Sequence, residues 1–125
     1  MRVLLDSHIL IWLMAGDVRL TSKARTLITG ADAVYASTAS FWELSIKVGV
    51  GKLRLDVERL ADLLDAAGIS ELLVKRQHVL GVAKLPLLHK DPFDRLLVVQ
   101  AITERMNFVT ADRKLAPYSR LVTVV

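Results

Sequence analysis

The sequence predicts an α/β fold in which a mostly parallel β-sheet is flanked by helices. Short apolar runs of strand character alternate with longer segments of helical periodicity, and this alternation is typical of parallel sheets. Hydrophobic residues make up 53% of the 125 residues and charged residues 24%, which excludes a disordered chain and allows one buried core. No repeat or linker interrupts residues 1–125, so we expect a single domain.

The first half of the chain contains two predicted strands, each followed by a helix. Apolar runs indicate the strands, and serine or threonine caps and glycine breakers bound the helices. The predicted elements are a strand at 3–5, a helix at 8–14, a helix at 22–28, a strand at 33–36 and a helix from 38 to about 48.

The second half continues the same alternation. The predicted elements are a helix at 57–66, a strand at 72–74, short and long helices at 77–83 and 92–106, a strand at 108–110 and a β-rich run at 121–125. Asp91 before Pro92 marks a helix start, because aspartate caps the first turn and proline lacks an N–H that this turn leaves unpaired. Asn107 is a candidate left-handed stop.

Acidic residues follow the ends of these predicted strands. Asp6 and Asp112 come after apolar strand runs, and Glu43 lies in the helix that follows another strand. Asp94 occupies the first turn of the long helix. Because ligands of open parallel sheets bind beyond the carboxyl ends of the strands, we expect these acids to share one crevice.

Four of the acids also have a purely structural explanation. Capping by Asp91 is worth about 1 kcal/mol, and Asp94 complements the helix dipole for roughly a few tenths more. Asp112 could cap the segment after it, and Glu43 could form a surface pair with Lys47 worth about 0.3 to 0.5 kcal/mol.

Several carboxylates in one crevice require compensation. Each close pair costs on the order of 4 kcal/mol at about 4 Å, against a total stability of roughly 5 to 15 kcal/mol. Either some carboxyl groups stay protonated or a cation binds. The chain has no cysteine and three scattered histidines, so a hard ion such as Mg²⁺ or Mn²⁺ is favoured over zinc. Such an ion could activate water for attack on a phosphodiester.

Charge, hydropathy and cysteine content limit the partners and the cellular compartment that we expect for the protein. The chain has 17 Lys+Arg and 13 Asp+Glu, a formal net charge of +4, so nucleic acid becomes a reasonable partner if several acids are sequestered. No long uncharged apolar run indicates a membrane span. The N-terminal segment resembles a signal peptide only superficially, because Asp6 and His8 interrupt its apolar run. The absence of cysteine fits a reducing compartment, and we expect a cytoplasmic protein.

Four motifs in order carry a resemblance to a known family. They are LLDSHILIW, ASTASFWELSIKVGVGKL, HKDPFDRLLVVQA and FVTADRKL. The chain resembles PIN-domain proteins, in particular the VapC-like ribonuclease toxins of bacterial type II toxin-antitoxin systems. This resemblance spans nearly the whole chain and implies one PIN-like three-layer sandwich over residues 1–125.

The resemblance also implies a site. The family's catalytic and metal-binding acids correspond to Asp6, Glu43, Asp94 and Asp112. Supporting hydroxyl groups correspond to Ser7, at a position where threonine is often expected, and to Thr110. Asp91 belongs to the DPFDR motif and is interpreted as a cap that could also reach the metal through water.

The activity implied is that of a Mg²⁺-dependent endoribonuclease, with Mn²⁺ as a substitute, which cleaves RNA with a metal-activated water. The implied partners are a cognate antitoxin and a second copy of the chain, with no membrane. The alternative is a non-catalytic module of the same fold that binds RNA or a protein partner. A receiver-like phosphoacceptor domain is disfavoured, because Lys75 and Arg76 follow the middle strand where an acid would be required.

Other functional-looking residues are interpreted as structural. His8, His78 and His89 lack the spacing of metal ligands, and Trp42 is expected in the core. Selection among RNA targets would lie in loops such as 49–55 and 85–90.

Overall fold

The computed structural model describes residues 1–125 and contains a five-stranded sheet between two layers of helices. The strands are β1 (Arg2–Leu5), β2 (Ala33–Ser37), β3 (Ser70–Leu72), β4 (Asn107–Thr110) and β5 (Val122–Val124). Their order is β3-β2-β1-β4-β5, and every neighbouring pair is parallel. The predicted α/β class is confirmed, and the sheet is parallel throughout.

Six α-helices connect and cover the strands. They are α1 (Ser7–Ala15), α2 (Ser22–Thr29), α3 (Thr38–Gly49), α4 (Val57–Ala66), α5 (Arg76–Gly81) and α6 (Pro92–Glu104). Short 3-10 helices follow at Val82–Lys84 and Arg113–Tyr118. None of these helices combines the length and apolarity that are needed to cross a bilayer.

The central strand β1 is buried on both faces. Leu5 belongs to an apolar cluster with residues of α1, α2, α3 and α4, whereas Leu4 belongs to a second cluster with residues of α6 and β4. Successive side chains of a strand point to opposite faces, so each helical layer packs on its own side of β1. The residue that follows β1 is therefore held at the centre of the sheet.

The register of the sheet aligns the ends of three strands. Leu5 pairs with Ala36 of β2 and with Val109 of β4. Asp6, Ser37 and Thr110 therefore lie at the same carboxyl edge. This edge is the place where the sequence predicted a ligand site.

Three local predictions were wrong. The third strand is Ser70–Leu72, two residues earlier than predicted, because Leu72 pairs with Ser37 while Leu73 is 59% exposed. The long helix ends at Glu104, and its C-cap Arg105, rather than Asn107, takes the left-handed conformation with φ of 55°, because Asn107 already belongs to β4. Trp42 is 60% exposed, and its ring packs edge-on against Phe93 rather than in the core.

Candidate metal centre

A pocket of about 400 Å³ opens at the carboxyl edge of the sheet. It is lined by Asp6, His8, Trp12, Arg19, Glu43, Lys47, Asp91, Asp94, Ala111 and Asp112. The structure thus places all the acids predicted from the sequence around one cavity. The side chains come from the ends of β1 and β4, from α1 and α3, from the start of α6, and from the loop between α1 and α2.

Asp6 lies at the bottom of this pocket with 6% of its surface exposed. Its Oδ1 accepts a hydrogen bond of 2.7 Å from the backbone N–H of Ser7, so Asp6 also caps α1. Its Oδ2 accepts a hydrogen bond of 2.6 Å from the Thr110 hydroxyl, which in turn accepts one of 3.0 Å from the N–H of Asp112. Thr110 therefore fixes the relative positions of two acids on neighbouring strands.

Glu43 is directed into the protein rather than toward solvent, with 4% of its surface exposed. Its Oε1 accepts a hydrogen bond of 2.7 Å from the Ser7 hydroxyl, and its Oε2 accepts one of 2.9 Å from Lys47 Nζ. The pairing of Glu43 with Lys47 predicted from their spacing is present, but the carboxylate is buried. This hydrogen bond raises the pKa of Lys47, so Lys47 stays charged.

Asp91 and Asp94 occupy the start of α6 in different ways. Asp91 Oδ1 accepts hydrogen bonds from the backbone N–H groups of Phe93 and Asp94, at 2.9 and 3.0 Å. The predicted capping role of Asp91 is thus confirmed. The Asp94 carboxyl group accepts no hydrogen bond, and burial is the main reason that its pKa rises to about 8. The charges of the neighbouring acids, with Asp6 first among them, raise this pKa further.

His89 belongs to this site although the sequence reasoning did not include it. Its Nδ1 accepts a hydrogen bond of 3.0 Å from the backbone N–H of Asp91. In the neutral ring the proton therefore sits on Nε2, which lies 3.0 Å from Asp112 Oδ2 and 3.8 Å from Asp94 Oδ2. Nε2 then donates to Asp112, and the ring helps to position this carboxyl group. His89, Asp94 and Asp112 also bring their ligand atoms within 4.8 Å of one another, close enough to surround a metal ion.

No spacing rule signals this role of His89. The only local clue is its place two residues before a helix cap, where its ring can turn back onto the backbone. The rest depends on Tyr118, whose hydroxyl accepts hydrogen bonds from the N–H groups of Leu88 and His89. Tyr118 holds the loop from a position distant in sequence.

The electrostatics of the pocket fit a divalent cation. Five carboxyl groups line it, but only two cationic side chains, Arg19 and Lys47, do so. Burial, followed by the charge of Glu43, raises the pKa of Asp6, so the site without a cation retains protons that it would lose in water. The donors are oxygens on short, partly fixed side chains, as Mg²⁺ and Mn²⁺ prefer.

A larger groove lies elsewhere on the molecule. It has a volume of about 650 Å³, and helices α3 and α4 contribute most of its lining residues. None of the acids predicted from the sequence lines it. The candidate functional site is therefore the smaller acidic pocket.

The fold and the pocket define a parallel α/β protein with a cluster of acids at the carboxyl edge of its sheet. The chain belongs to the PIN domain family, whose model matches residues 3–121. The resemblance drawn from the four motifs is thereby confirmed.

Comparison with individual proteins agrees with this family. The chain is 31% identical to Ribonuclease VapC22 of Mycobacterium tuberculosis, over 98% of this chain and 97% of that protein. A crystal structure of VapBC2 from Rickettsia felis, bound to a DNA fragment from its promoter, matches with a TM-score of 0.71 and 17% identity, covering 100% of this chain and 98% of that chain. A toxin-antitoxin complex from Klebsiella pneumoniae matches with a TM-score of 0.68 and 15% identity, covering 98% and 96%. These two structures share the fold.

The raised pKa of Asp94 predicts a stability effect whose sign follows from linkage. The folded chain keeps the Asp94 proton up to about pH 8, whereas the unfolded chain loses it near pH 4. In the absence of metal, the free energy of unfolding therefore decreases as the pH rises from about 4 to about 8. Asp94→Asn should raise the free energy of unfolding at pH 8.5 in EDTA by about 1 to 3 kcal/mol, a range lowered because water screens part of the charge.

Urea denaturation at pH 5 and pH 8.5 measures this effect. The matched control is Asp62→Asn, an exposed aspartate on α4, which should change stability little at either pH. If Asp94→Asn raised the free energy of unfolding no more at pH 8.5 than at pH 5, this result would contradict the raised pKa of Asp94.

Proposed function

We propose that this protein is a metal-dependent endoribonuclease and the toxin component of a type II toxin-antitoxin system. The observation that carries the proposal is the convergence of Asp6, Glu43, Asp94 and Asp112 on one pocket in a chain of the PIN domain family. The similarity to a protein named as a ribonuclease supports RNA as the substrate. Residues 1–125 would act as one PIN domain in the cytoplasm.

In this proposal the four acids are the catalytic and metal-binding residues. Mg²⁺ is the proposed ion, with Mn²⁺ as a substitute, because the donors are carboxylate oxygens. When bound, the ion would supply a polarised water and stabilise charge on the phosphodiester. Asp91 would remain a cap, since one of its oxygens already accepts two backbone hydrogen bonds.

Other residues of the chain would orient these acids. The hydroxyl groups of Ser7 and Thr110 donate to Glu43 and Asp6, and each bond leaves further lone pairs of the carboxylate free. Lys47 neutralises part of the charge of Glu43, and His89 holds Asp112. Such supporting contacts fix the direction of a metal ligand and so tune affinity.

The partners are also part of the proposal. A cognate antitoxin would bind the chain and block the site, and two copies of the chain would form a homodimer, as the resemblance to VapC-like toxins implies. Large apolar side chains remain exposed on the isolated chain and offer contact surface, as expected for a protein with partners. They include Val18, Trp42, Val50, Leu80 and Leu87.

Replacing Asp6 tests the enzyme hypothesis directly. Asp6→Asn should reduce Mg²⁺-dependent cleavage of RNA by more than about 100-fold, because the metal site contributes several kcal/mol to the transition state. Cleavage of end-labelled RNA measures the loss, and circular dichroism checks that the variant folds. In cells, expression of the wild-type chain should arrest growth, whereas the variant should not.

The Asp62→Asn protein is the control for this experiment and should cut at the wild-type rate. Equal cleavage by Asp6→Asn would indicate a contaminating nuclease. If the wild-type chain binds RNA but cuts none in Mg²⁺ or Mn²⁺, it is the non-catalytic binding module instead.

Metal binding should release a proton at neutral pH. Asp94 is largely protonated at pH 7 because its pKa is about 8, and a metal ligand must be ionised. Titration calorimetry in two buffers with different heats of ionisation should therefore show release of about one proton at pH 7. The release should disappear at pH 9.5. Identical heats in both buffers at pH 7 would show that Asp94 is not a ligand or is already ionised.

Removing the His89 ring should weaken metal binding without removing a ligand. His89→Ala is expected to raise the metal dissociation constant by about 10-fold, within the range typical of residues that orient ligands. His89→Gln should recover part of this loss, since its amide can donate to Asp112. Calorimetry with Mn²⁺ measures the affinity, and Asp62→Asn is the control because Asp62 is exposed on α4 and does not line the pocket. A loss of 1000-fold or more would indicate that His89 is itself a ligand.

A further inference from the structure

One wall of the acidic pocket carries aromatic and cationic side chains. His8 and Trp12 lie one turn apart on α1, with ring centres 6.1 Å apart, and Arg19 comes from the loop of residues 16–21 between α1 and α2. The other cation of the pocket, Lys47, is bound to Glu43. Arg19 is therefore the cation of the pocket that forms no ion pair with an acid lining the pocket.

Arg19 is held in place although its side chain is 66% exposed. Its Nε donates to both oxygens of Asp17, at 3.1 and 3.2 Å, and its Nη2 donates to Asp17 Oδ2 at 2.7 Å. The guanidinium carbon lies 5.1 Å from the centre of the Trp12 ring, a cation–π arrangement. Two groups, one charged and one aromatic, thus fix the direction of the guanidinium.

The loop that presents Arg19 is itself anchored. The N–H of Asp17 donates to the carbonyl of Trp12 at 2.9 Å, and Arg25 Nη2 donates to the carbonyl of Asp17 at 3.1 Å. The same Asp17 accepts a hydrogen bond of 2.9 Å from the backbone N–H of Arg19. Asp17 therefore connects α1, the loop and α2, which limits the freedom of Arg19.

The guanidinium keeps unused donors after these contacts. It has five N–H groups, of which the Nε–H and one on Nη2 point to Asp17. Nη1 makes no hydrogen bond, so its two N–H groups and the second one on Nη2 are free. This free edge has the forked geometry that matches a phosphate group.

An ordinary surface ion pair is the competing explanation. Exposed pairs of this kind contribute little to stability. A contribution to stability therefore does not account for an oriented arginine beside the acidic pocket. The acids of the pocket repel a polyanion, so an RNA strand that reaches them needs a positive group beside its backbone. Asp17 does not line the pocket, whereas Arg19 does.

We propose that Arg19, supported by Trp12 and Asp17, binds a backbone phosphate of single-stranded RNA at the α1 wall of the pocket. This inference rests on the proposed function for its choice of RNA. A phosphate contact positions the strand without reading its sequence. Arg19 is therefore a substrate-binding residue and takes no part in the chemical step.

The test measures RNA binding with cleavage switched off. All variants are made in the Asp6→Asn form of residues 1–125, and binding of a fluorescent single-stranded RNA in Mg²⁺ is followed at several salt concentrations. Arg19→Ala should weaken binding about 10-fold and lower the slope of log affinity against log salt by about 0.7, the value for one phosphate contact of a single strand. Arg19→Lys should weaken binding less.

Arg120→Ala is the matched control. Arg120 is exposed and precedes β5, so it lies at the amino edge of the sheet, opposite the carboxyl edge that forms the pocket. This substitution removes the same charge and should leave the affinity and the salt slope unchanged. In the otherwise wild-type enzyme, Arg19→Ala should raise KM and leave kcat nearly constant.

The outcomes separate this inference from the proposed function. Equal affinities and slopes for Arg19→Ala and Arg120→Ala would overturn the role of Arg19, even if the wild-type chain cuts RNA. A selective effect of Arg19→Ala together with no cleavage by the wild-type chain would support the RNA contact and overturn the nuclease. Failure of every variant to bind RNA would overturn the role of Arg19, and together with no cleavage by the wild-type chain it would overturn the nuclease as well.

Discussion

The mutual repulsion of carboxyl groups at one edge of the sheet is the constraint on which the rest of this structure depends. Apolar packing on both faces of β1 holds Asp6 where β1 ends, and the register with β4 brings Thr110 beside it. The resulting pocket is buried enough to raise the pKa of Asp6 and of Asp94. Retained protons or a bound divalent cation are the two ways to offset this repulsion.

Structural and functional roles are combined in the same acids. Asp6, Asp91 and Asp112 each accept a backbone hydrogen bond at the start of a helix. A cap fixes the side chain through one lone pair of one oxygen and leaves other lone pairs of the carboxylate available. The capping that the sequence predicts for Asp91 and Asp112 is therefore present, and it does not exclude a ligand role. Glu43 reaches the same pocket from within α3, held by Ser7 and Lys47.

Sequence patterns could predict the features that depend on local periodicity. The sheet edge and the positions of Asp6 and Glu43 follow from strand–helix alternation in a parallel fold. The end of β3 and the left-handed Arg105 could not be predicted, because pairing with a neighbouring strand decides them. His89 was missed because its contact with Asp112 requires a loop held by Tyr118. Arg19 likewise resembles any surface charge until the loop brings it over Trp12.

The most direct measurement is a crystal structure of the protein grown with Mn²⁺, in which anomalous scattering locates the ion. The account predicts a peak within about 2.0 to 2.4 Å of carboxylate oxygens from Asp6 and Asp94, with Glu43 and Asp112 bound directly or through water. Soaking with EDTA should remove the peak. No peak in the pocket at millimolar Mn²⁺, with these acids hydrogen-bonded to one another, would contradict it.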